Sequence, residues 1–438
     1  MTDLNKPRLL VTQRISFKLI VIFFLIILLQ IPLFLVKDVI RERQSMQNQA
    51  QQSISQRWGP KQYIGAPLVI KNRLIAVEGN SKKQLFSQIA NATTASFAID
   101  LQAQKRYLGV FEAAIYTASI EITGEIDTKK LQPLNSNVKL FIPIRDASSI
   151  KSLEGVFLNS VKINKQPQIK TLQDTKGFTL DISDQNLPPL VTFRIKMNVT
   201  GSKSFTVVPN AARTDVAIHS NWSSPSFIGS HLPDSRTINE HGFDAKWAIN
   251  QLNFASPLDA LATSSAPLHY IYEPEIKQFG VKIIIPANTY QVNTRTAKYS
   301  LLIILLSFAG LFLAEVFFKI RLHPFQYLLI GVSLTLFYLL LLSLSEYLRF
   351  NFAFLLSAFS TITLIAGYCS VVLGQRMRGF YTGILFSVLY GFIFVLVKAE
   401  ESSLLMGSIG LWIVLALAMY LTRKINWYES NAINQSKI

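Results

Sequence analysis

The run LIVIFFLIILLQIPLFLV, Leu19–Val36, holds 18 residues without a charge and is interrupted only by Gln30 and Pro32. About 20 helical residues cross the ~30 Å hydrocarbon layer of a bilayer. No backbone polar group can be left unpaired there, so a run of this kind is a helix. Nothing comparable follows until Ser300. Five more runs then come in close succession, at Ser300–Phe318, Phe325–Leu344, Phe352–Leu373, Phe380–Val397 and Leu404–Leu421. Loops of six or seven residues separate them. Buried core helices of a soluble protein would not repeat in this way, and the pattern predicts six transmembrane helices.

The composition agrees. Half of the 438 residues are hydrophobic, 16% are charged, and mean hydropathy is +0.31. Soluble domains carry about 25% charged residues. A disordered chain is excluded by the amount of apolar surface to bury. The single Cys369 excludes internal disulfides and cysteine-only metal sites. Formal net charge is +17. In a membrane protein such a balance also arises from topology signals and contacts with anionic lipid.

Orientation follows from the basic residues of the short loops. The leader holds Lys6, Arg8, Arg14 and Lys18, as a secretory signal does. Residues Pro32 to Lys37 offer no small-x-small cleavage pattern, so the first run reads as an uncleaved signal anchor. With the N-terminus in the cytoplasm, Lys319, Arg321, Arg376, Arg378, Arg423 and Lys424 fall on the same side as the leader, and only Arg349 and Lys398 fall opposite. That asymmetry obeys the positive-inside rule. Trp427 and Tyr428 suit an interfacial aromatic belt. The expected order is a cytoplasmic start (1–18), helix 1 (19–36), a polar helical stalk (37–58), a periplasmic domain (59–298), a five-helix bundle (300–421) and a cytoplasmic tail (422–438).

The segment 37–298 carries 30 Lys/Arg against 20 Asp/Glu and no cysteine. Outside the cytoplasm it never meets nucleic acid. The expected partners are the lipid bilayer and an envelope protein, lipid or wall component, with plain solubility as the simpler account of the charge. Trp58-Gly59-Pro60 ends the stalk, since proline disfavours a helical residue before it. Period-two alternation then dominates, at Ala66–Ile70, Ala95–Leu101, Tyr107–Ile122, Val138–Ile144, Lys176–Ile182, Leu190–Val199, Phe205–Val208 and Asp215–His219. The fold class expected is therefore mixed: six membrane helices with a β-rich, sandwich-like domain inserted between helices 1 and 2.

Candidate chemistry is sparse. His219, His231 and His241 lie among Asp215, Asp234, Glu240 and Asp244, but no two histidines have the i, i+4 spacing of a ligand pair. Surface or turn positions are the simpler reading. Neither a serine-nucleophile elbow nor a phosphate-binding glycine loop occurs. No catalytic residue, metal or cofactor is expected. Glu315, near the end of helix 2, either pairs with Lys319 at i, i+4 or serves a proton or ion path. Glu346 sits at the rim of helix 3 beside Arg349. Gly379, Gly383, Ser387 and Gly391 recur every four residues, a small-residue face for bundle assembly or for a dimer. Trp222, Pro225 and Phe227 are either core and turn residues or a binding surface.

Several stretches taken together resemble the CreD family of bacterial inner-membrane proteins, from about Ser16 to Tyr428. They are Trp58-Gly59-Pro60, Gly65–Ile70, Gly109–Ala118 leading to Ile122-Thr123-Gly124, Trp222–Gly229 with Leu232-Pro233, and Gly242–Trp247. In the membrane half they are Glu315-Val316, Arg321–Leu329 with His323, Phe337–Glu346 and Tyr420–Tyr428. Lys71 departs from the pattern, where a proline is expected after the Leu68-Val69-Ile70 strand. The resemblance implies a cytoplasmic-membrane protein linked to envelope integrity, stress and colicin tolerance, and no established reaction.

Overall fold

The computed structural model describes residues 11–76, 83–132, 134, 137–172, 175–185, 187–250, 278–285, 289–318, 322–399 and 402–423. They fall into two compact units. Met1–Met46 and Ala287–Ile438 make a helical unit, and Gln47–Pro286 make a β unit.

One helix contributes to both. Helix α1 runs unbroken from Val11 to Trp58 and takes in the apolar run and the polar residues after it. It stops where Gly59 adopts φ +141°, a conformation that favours glycine. A side chain there would also strike the Thr200 carbonyl at 2.7 Å.

In the β unit, the largest sheet runs β15 (Ser235–Asn239), β16 (Gly242–Asn250), β13 (Arg213–Ser220), β4 (Ala92–Leu108), β5 (Phe111–Asp127), β11 (Leu190–Ser202), β7 (Ile150–Leu158) and β8 (Val161–Lys162). A second runs β3 (Lys83–Ala90), β2 (Leu68–Ala76), β6 (Val138–Pro143), β10 (Thr175–Asp181) and β9 (Gln168–Leu172). A third runs β1 (Gln62–Gly65), β12 (Ser204–Val208), β17 (Phe279–Ile283) and β14 (Pro225–Gly229). All pairings are antiparallel except β1 with β12 and β4 with β13. Alternation sets the faces: Ala95, Phe97, Ile99, Leu101 and Ala103 of β4 point inward, while Ser96, Ala98, Asp100 and Gln102 point out. One core joins all three sheets, through Phe97, Ile122 and Ile195, through Val69, Leu140 and Phe178, and through Phe205 and Val281. The unit is thus β-rich as expected, but with three sheets about one core instead of a two-layer sandwich. The alternating stretch Tyr107–Ile122 does not extend as one strand; it turns at Gly109-Val110 into a hairpin.

The helical unit contains α2 (Thr289–Lys298), α3 (Ser300–Phe318), α4 (Pro324–Ser345), α5 (Phe350–Val372), α6 (Arg376–Lys398) and α7 (Ser403–Thr422). Short, polar α2 lies inside the segment assigned from sequence to the β-rich domain. Its few apolar residues, Tyr290, Val292 and Ala297, make no run, and that hid it. Among the described residues, α1, α4, α5 and α6 are long and apolar enough to cross a membrane. The pair α2–α3 passes the same test as one span bent by 43°. Exposed Phe23, Phe24, Phe34, Leu336, Phe352, Phe359, Val388 and Leu415 give this unit an apolar surface on several helices. A water-soluble body rarely shows such patches; in lipid they are the expected outside.

Candidate functional site

Two ion pairs join α1 to other helices of the helical unit, one at Lys18 and one at Arg43. Lys18 and Arg43 are 25 residues apart, close to seven turns at 3.6 residues each, so they lie on one face about 38 Å from each other. Ile22, Leu29, Leu33 and Ile40, all buried, fill the stripe between them. Gly331 of α4 faces that stripe; a Cβ there would come within 2.2 Å of Leu29 Cδ1. The missing side chain lets Leu29 enter.

At one end, Lys18 Nζ pairs with Glu315 of α3 and donates to the Leu322 carbonyl at 2.8 Å. Glu315 accepts from Leu322 N at 3.3 Å and from the Tyr327 hydroxyl at 3.0 Å. The ammonium also stands 5.4 Å above the Tyr327 ring. The Glu315 side chain is only 9% exposed. A buried carboxylate needs partners of this kind, and this one has three. His323, next to the cluster, caps α4. Its Nδ1 accepts from Phe325 N at 3.2 Å, Gln326 Oε1 accepts from His323 N at 2.8 Å, and Pro324 opens the first turn.

At the other end, Arg43 Nε lies 3.5 Å from Glu346 Oε1, which also accepts from the Tyr290 hydroxyl at 3.2 Å. One turn of α2 further, Asn293 donates to Ser345 Oγ at 2.6 Å.

Both acids named from sequence are therefore ion-paired to α1. Lys319, the i, i+4 partner considered for Glu315, lies outside the described residues. Sequence reading missed Lys18, Arg43, Tyr290 and Tyr327. Lys18 registered only as a topology signal and Arg43 only as a polar stalk residue, because pairing across about 300 positions leaves no local trace.

The remaining named residues sit elsewhere. Gly379 meets α5 so closely that a Cβ would lie 2.5 Å from Ser370 Cβ, and Gly383 faces Ala366. Gly391 faces open space, and Ser387 is exposed with its hydroxyl donating to Gly383 O at 2.8 Å. Half of the small-residue stripe thus joins α5 to α6. Phe227 packs edge-on against Phe243 at 5.8 Å and Trp247 at 5.9 Å. Trp222 rests on the same core, its indole donating to Ile284 O at 2.9 Å. Pro225 opens the edge strand β14, where its missing N–H costs no ladder bond. Lys71, the departure from the family pattern, is buried, and its ammonium donates to Leu131 O at 2.9 Å.

The histidines do not assemble. His219 pairs with Asp244 at 2.8 Å on the solvent face of the large sheet, His231 with Ser230 at 2.9 Å, and Asp234 accepts from Ala248 N at 2.7 Å. Among the described residues no three His, Cys, Asp or Glu could hold a metal ion. On the same face, Arg194 holds Glu121 at 2.5 Å, with Lys196 at 3.4 Å, and their hydrogen bonds keep that carboxyl below its ordinary range.

Fold and clasps define a multi-pass membrane protein that carries a large β unit between its first apolar helix and the others. The profile of the family described as Inner membrane protein CreD matches residues 14–428, and the chain belongs to that family. It is 29% identical over 432 residues to Inner membrane protein CreD of Escherichia coli (strain K12), covering 94% of this chain and 93% of that protein. Among solved structures, a two-domain M1 zinc metallopeptidase bound to L-arginine aligns with 48% of this chain and 53% of its own at 8% identity and a TM-score of 0.23. An M1 zinc metallopeptidase from Deinococcus radiodurans aligns likewise at a TM-score of 0.20. The chain spans about half the length of these two structures.

Proposed function

We propose that this chain maintains cell-envelope integrity under stress, without catalysis, by acting through its β unit on a protein, lipid or wall component outside the cytoplasm. In this reading α1, α2–α3 and α4 to α7 make six spans, both termini are cytoplasmic and residues 37–298 are periplasmic. The supporting observation is α1 itself: one uninterrupted helix carries residues of both units and is clasped by an ion pair at Lys18 and another at Arg43. Such a helix can pass a change of state between membrane and β unit. The test is a deletion strain complemented with the wild-type chain or with Glu315→Leu. Wild type is expected to restore resistance to detergent, colicins and wall-directed antibiotics, and the variant to restore less. Unaltered sensitivity in the deletion strain would count against the reading.

A second reading, a transporter or lipid-handling path in the bundle, has one observation in its favour. The hydroxyls of Ser307 in α3 and Tyr338 in α4 are buried with no protein hydrogen-bond partner. Polar groups of this kind inside a membrane bundle often line a path. Wild-type phenotypes from Tyr338→Phe and Glu315→Gln would remove its best residues.

A further inference from the structure

The hairpin of β4 and β5 is longer than the sheet that holds it. β13 pairs with β4 only as far as Leu101, and β11 pairs with β5 only from Ile115 onward. Beyond those points the two strands continue as a two-stranded arm, paired down to Leu108 and Phe111 around the Gly109-Val110 turn. Gly109 takes φ +61°, the glycine-favouring first position of a tight two-residue hairpin turn. A two-stranded hairpin alone is marginal in water, and this one is braced. Lys105 pairs with Glu112 at 3.0 Å, and Arg106 stacks 5.5 Å over the Trp58 ring. The arm also has a direction. Trp58 Nε1 donates to Tyr116 O, and Gln51, two turns nearer the N-terminus of α1, donates to Glu112 O. From Tyr116 toward its tip, the arm therefore runs beside α1 from Trp58 to Gln51.

At the tip the inward–outward alternation ends. Gln104 to Leu108 are all exposed, with Tyr107 at 65%, Leu108 at 44% and Val110 at 44%. Single apolar residues on a surface are ordinary, but three adjoining ones at the end of a braced arm, flanked by Lys105 and Arg106, form an amphiphilic point. The patch is far smaller than the ~1,200 Å² of a stable protein–protein interface. It matches the chemistry of a bilayer interface, where tyrosine concentrates and basic side chains meet anionic headgroups. We infer that Tyr107, Leu108 and Val110 insert among the phospholipid headgroups of the membrane that this chain spans, so that the arm gives the β unit a lipid contact of its own. The inference goes beyond the functional reading above, since the tip enters lipid or does not whatever the β unit acts on.

The full-length chain tests it directly. A nitroxide is placed at Leu108→Cys in a Cys369→Ser background, in nanodiscs of phosphatidylethanolamine and phosphatidylglycerol, and its collisions with oxygen and with an aqueous nickel chelate are measured. Ala98→Cys, on the exposed row of β4, serves as the water reference. The label at Leu108 is expected to favour oxygen over nickel several-fold more than the label at Ala98, and to keep that preference in phosphatidylcholine nanodiscs. Equal ratios at the two sites would overturn the inference. So would shielding of Leu108 from both reagents, which signals a protein cover, and a preference that disappears in phosphatidylcholine, which signals charge attraction without insertion.

Discussion

Gly201 faces Tyr116 across the β5–β11 pair, and a Cβ there would lie 2.4 Å from the tyrosine oxygen. The Tyr116 hydroxyl donates to Ser204 O at 2.7 Å, and its ring stands edge-on to Phe205 at 6.0 Å. Burial pushes the phenol's pKa far up, so it stays a donor at any physiological pH. A valine at Gly201 must expel the ring from both contacts. Overpacking of this kind costs about 1–3 kcal/mol, and Gly201→Val is expected to lower the melting temperature of the detergent-solubilised chain, whereas Gly109→Ala, at the open tip, tests only the φ preference. Asp146 is one of the pH-sensitive residues. Burial raises its pKa, but hydrogen bonds from Ser148 and Ser149 outweigh that and hold it below the usual carboxylate range. A depressed carboxylate contributes stability that is whole above its unfolded pKa, near 3.9, and is lost as pH falls through the folded value. Asp146→Asn should therefore destabilise by up to about 1 kcal/mol at pH 7 and flatten the decline in melting temperature between pH 5 and pH 3. An unchanged decline would show that other carboxylates govern it.

Helix α4 begins and docks through different residues. Its start depends on an unprotonated Nδ1 at His323, the lone pair that accepts from Phe325 N. Its docking depends on Gly331, where α1 approaches through Leu29 and where the Phe308 ring also closes in, 3.1 Å from the point a Cβ would occupy. Gly331→Ala is expected to destabilise, and Leu29→Ala to relieve it, so that the double variant loses at least about 1 kcal/mol less than the sum of the two singles. Gly391→Ala, facing open space, should be close to neutral. Additive losses at Gly331 and Leu29 would mean that the two helices do not meet there. Sequence reading expected apolar helices after Ser300 because an apolar run declares itself, and α3 is one of them. It put Gly379, Gly383, Ser387 and Gly391 on one face, since a four-residue period fixes a face. It could not say that α5 stops meeting that face before Gly391, because the extent of a partner is not written in the period. The arm escaped because a two-residue turn leaves little trace in a strand-like run, and only Gly109 hinted at the reversal. Strands β14 and β15 are short, and neither alternates between buried and exposed residues, so their pattern was too weak to read.

At the scale of the molecule, the question is whether the clasps on α1 hold the fold or serve the function, and stability and phenotype can be separated. Breaking a buried ion pair by removing one partner strands the other charge, at about 3–5 kcal/mol. Replacing both partners by apolar groups of similar size is often neutral or stabilising. Lys18→Met leaves Glu315 with only the Leu322 amide and the Tyr327 hydroxyl. Glu315→Leu leaves Lys18 with the Leu322 carbonyl and the face of the Tyr327 ring. Lysine has a long stem that reaches water where a carboxylate on a short one cannot, so Lys18→Met is expected to be the more destabilising single change. The double variant should recover most of the lost melting temperature. If the pair is structural alone, the double variant also restores resistance to detergent and wall-directed antibiotics in the complemented deletion strain. If α1 transmits a state by opening and closing this clasp, the double variant is as stable as wild type and still fails to complement, because an apolar contact cannot be exchanged for water as an ion pair can. A stable variant that complements in full therefore removes the clasp from the mechanism and leaves α1 as an anchor.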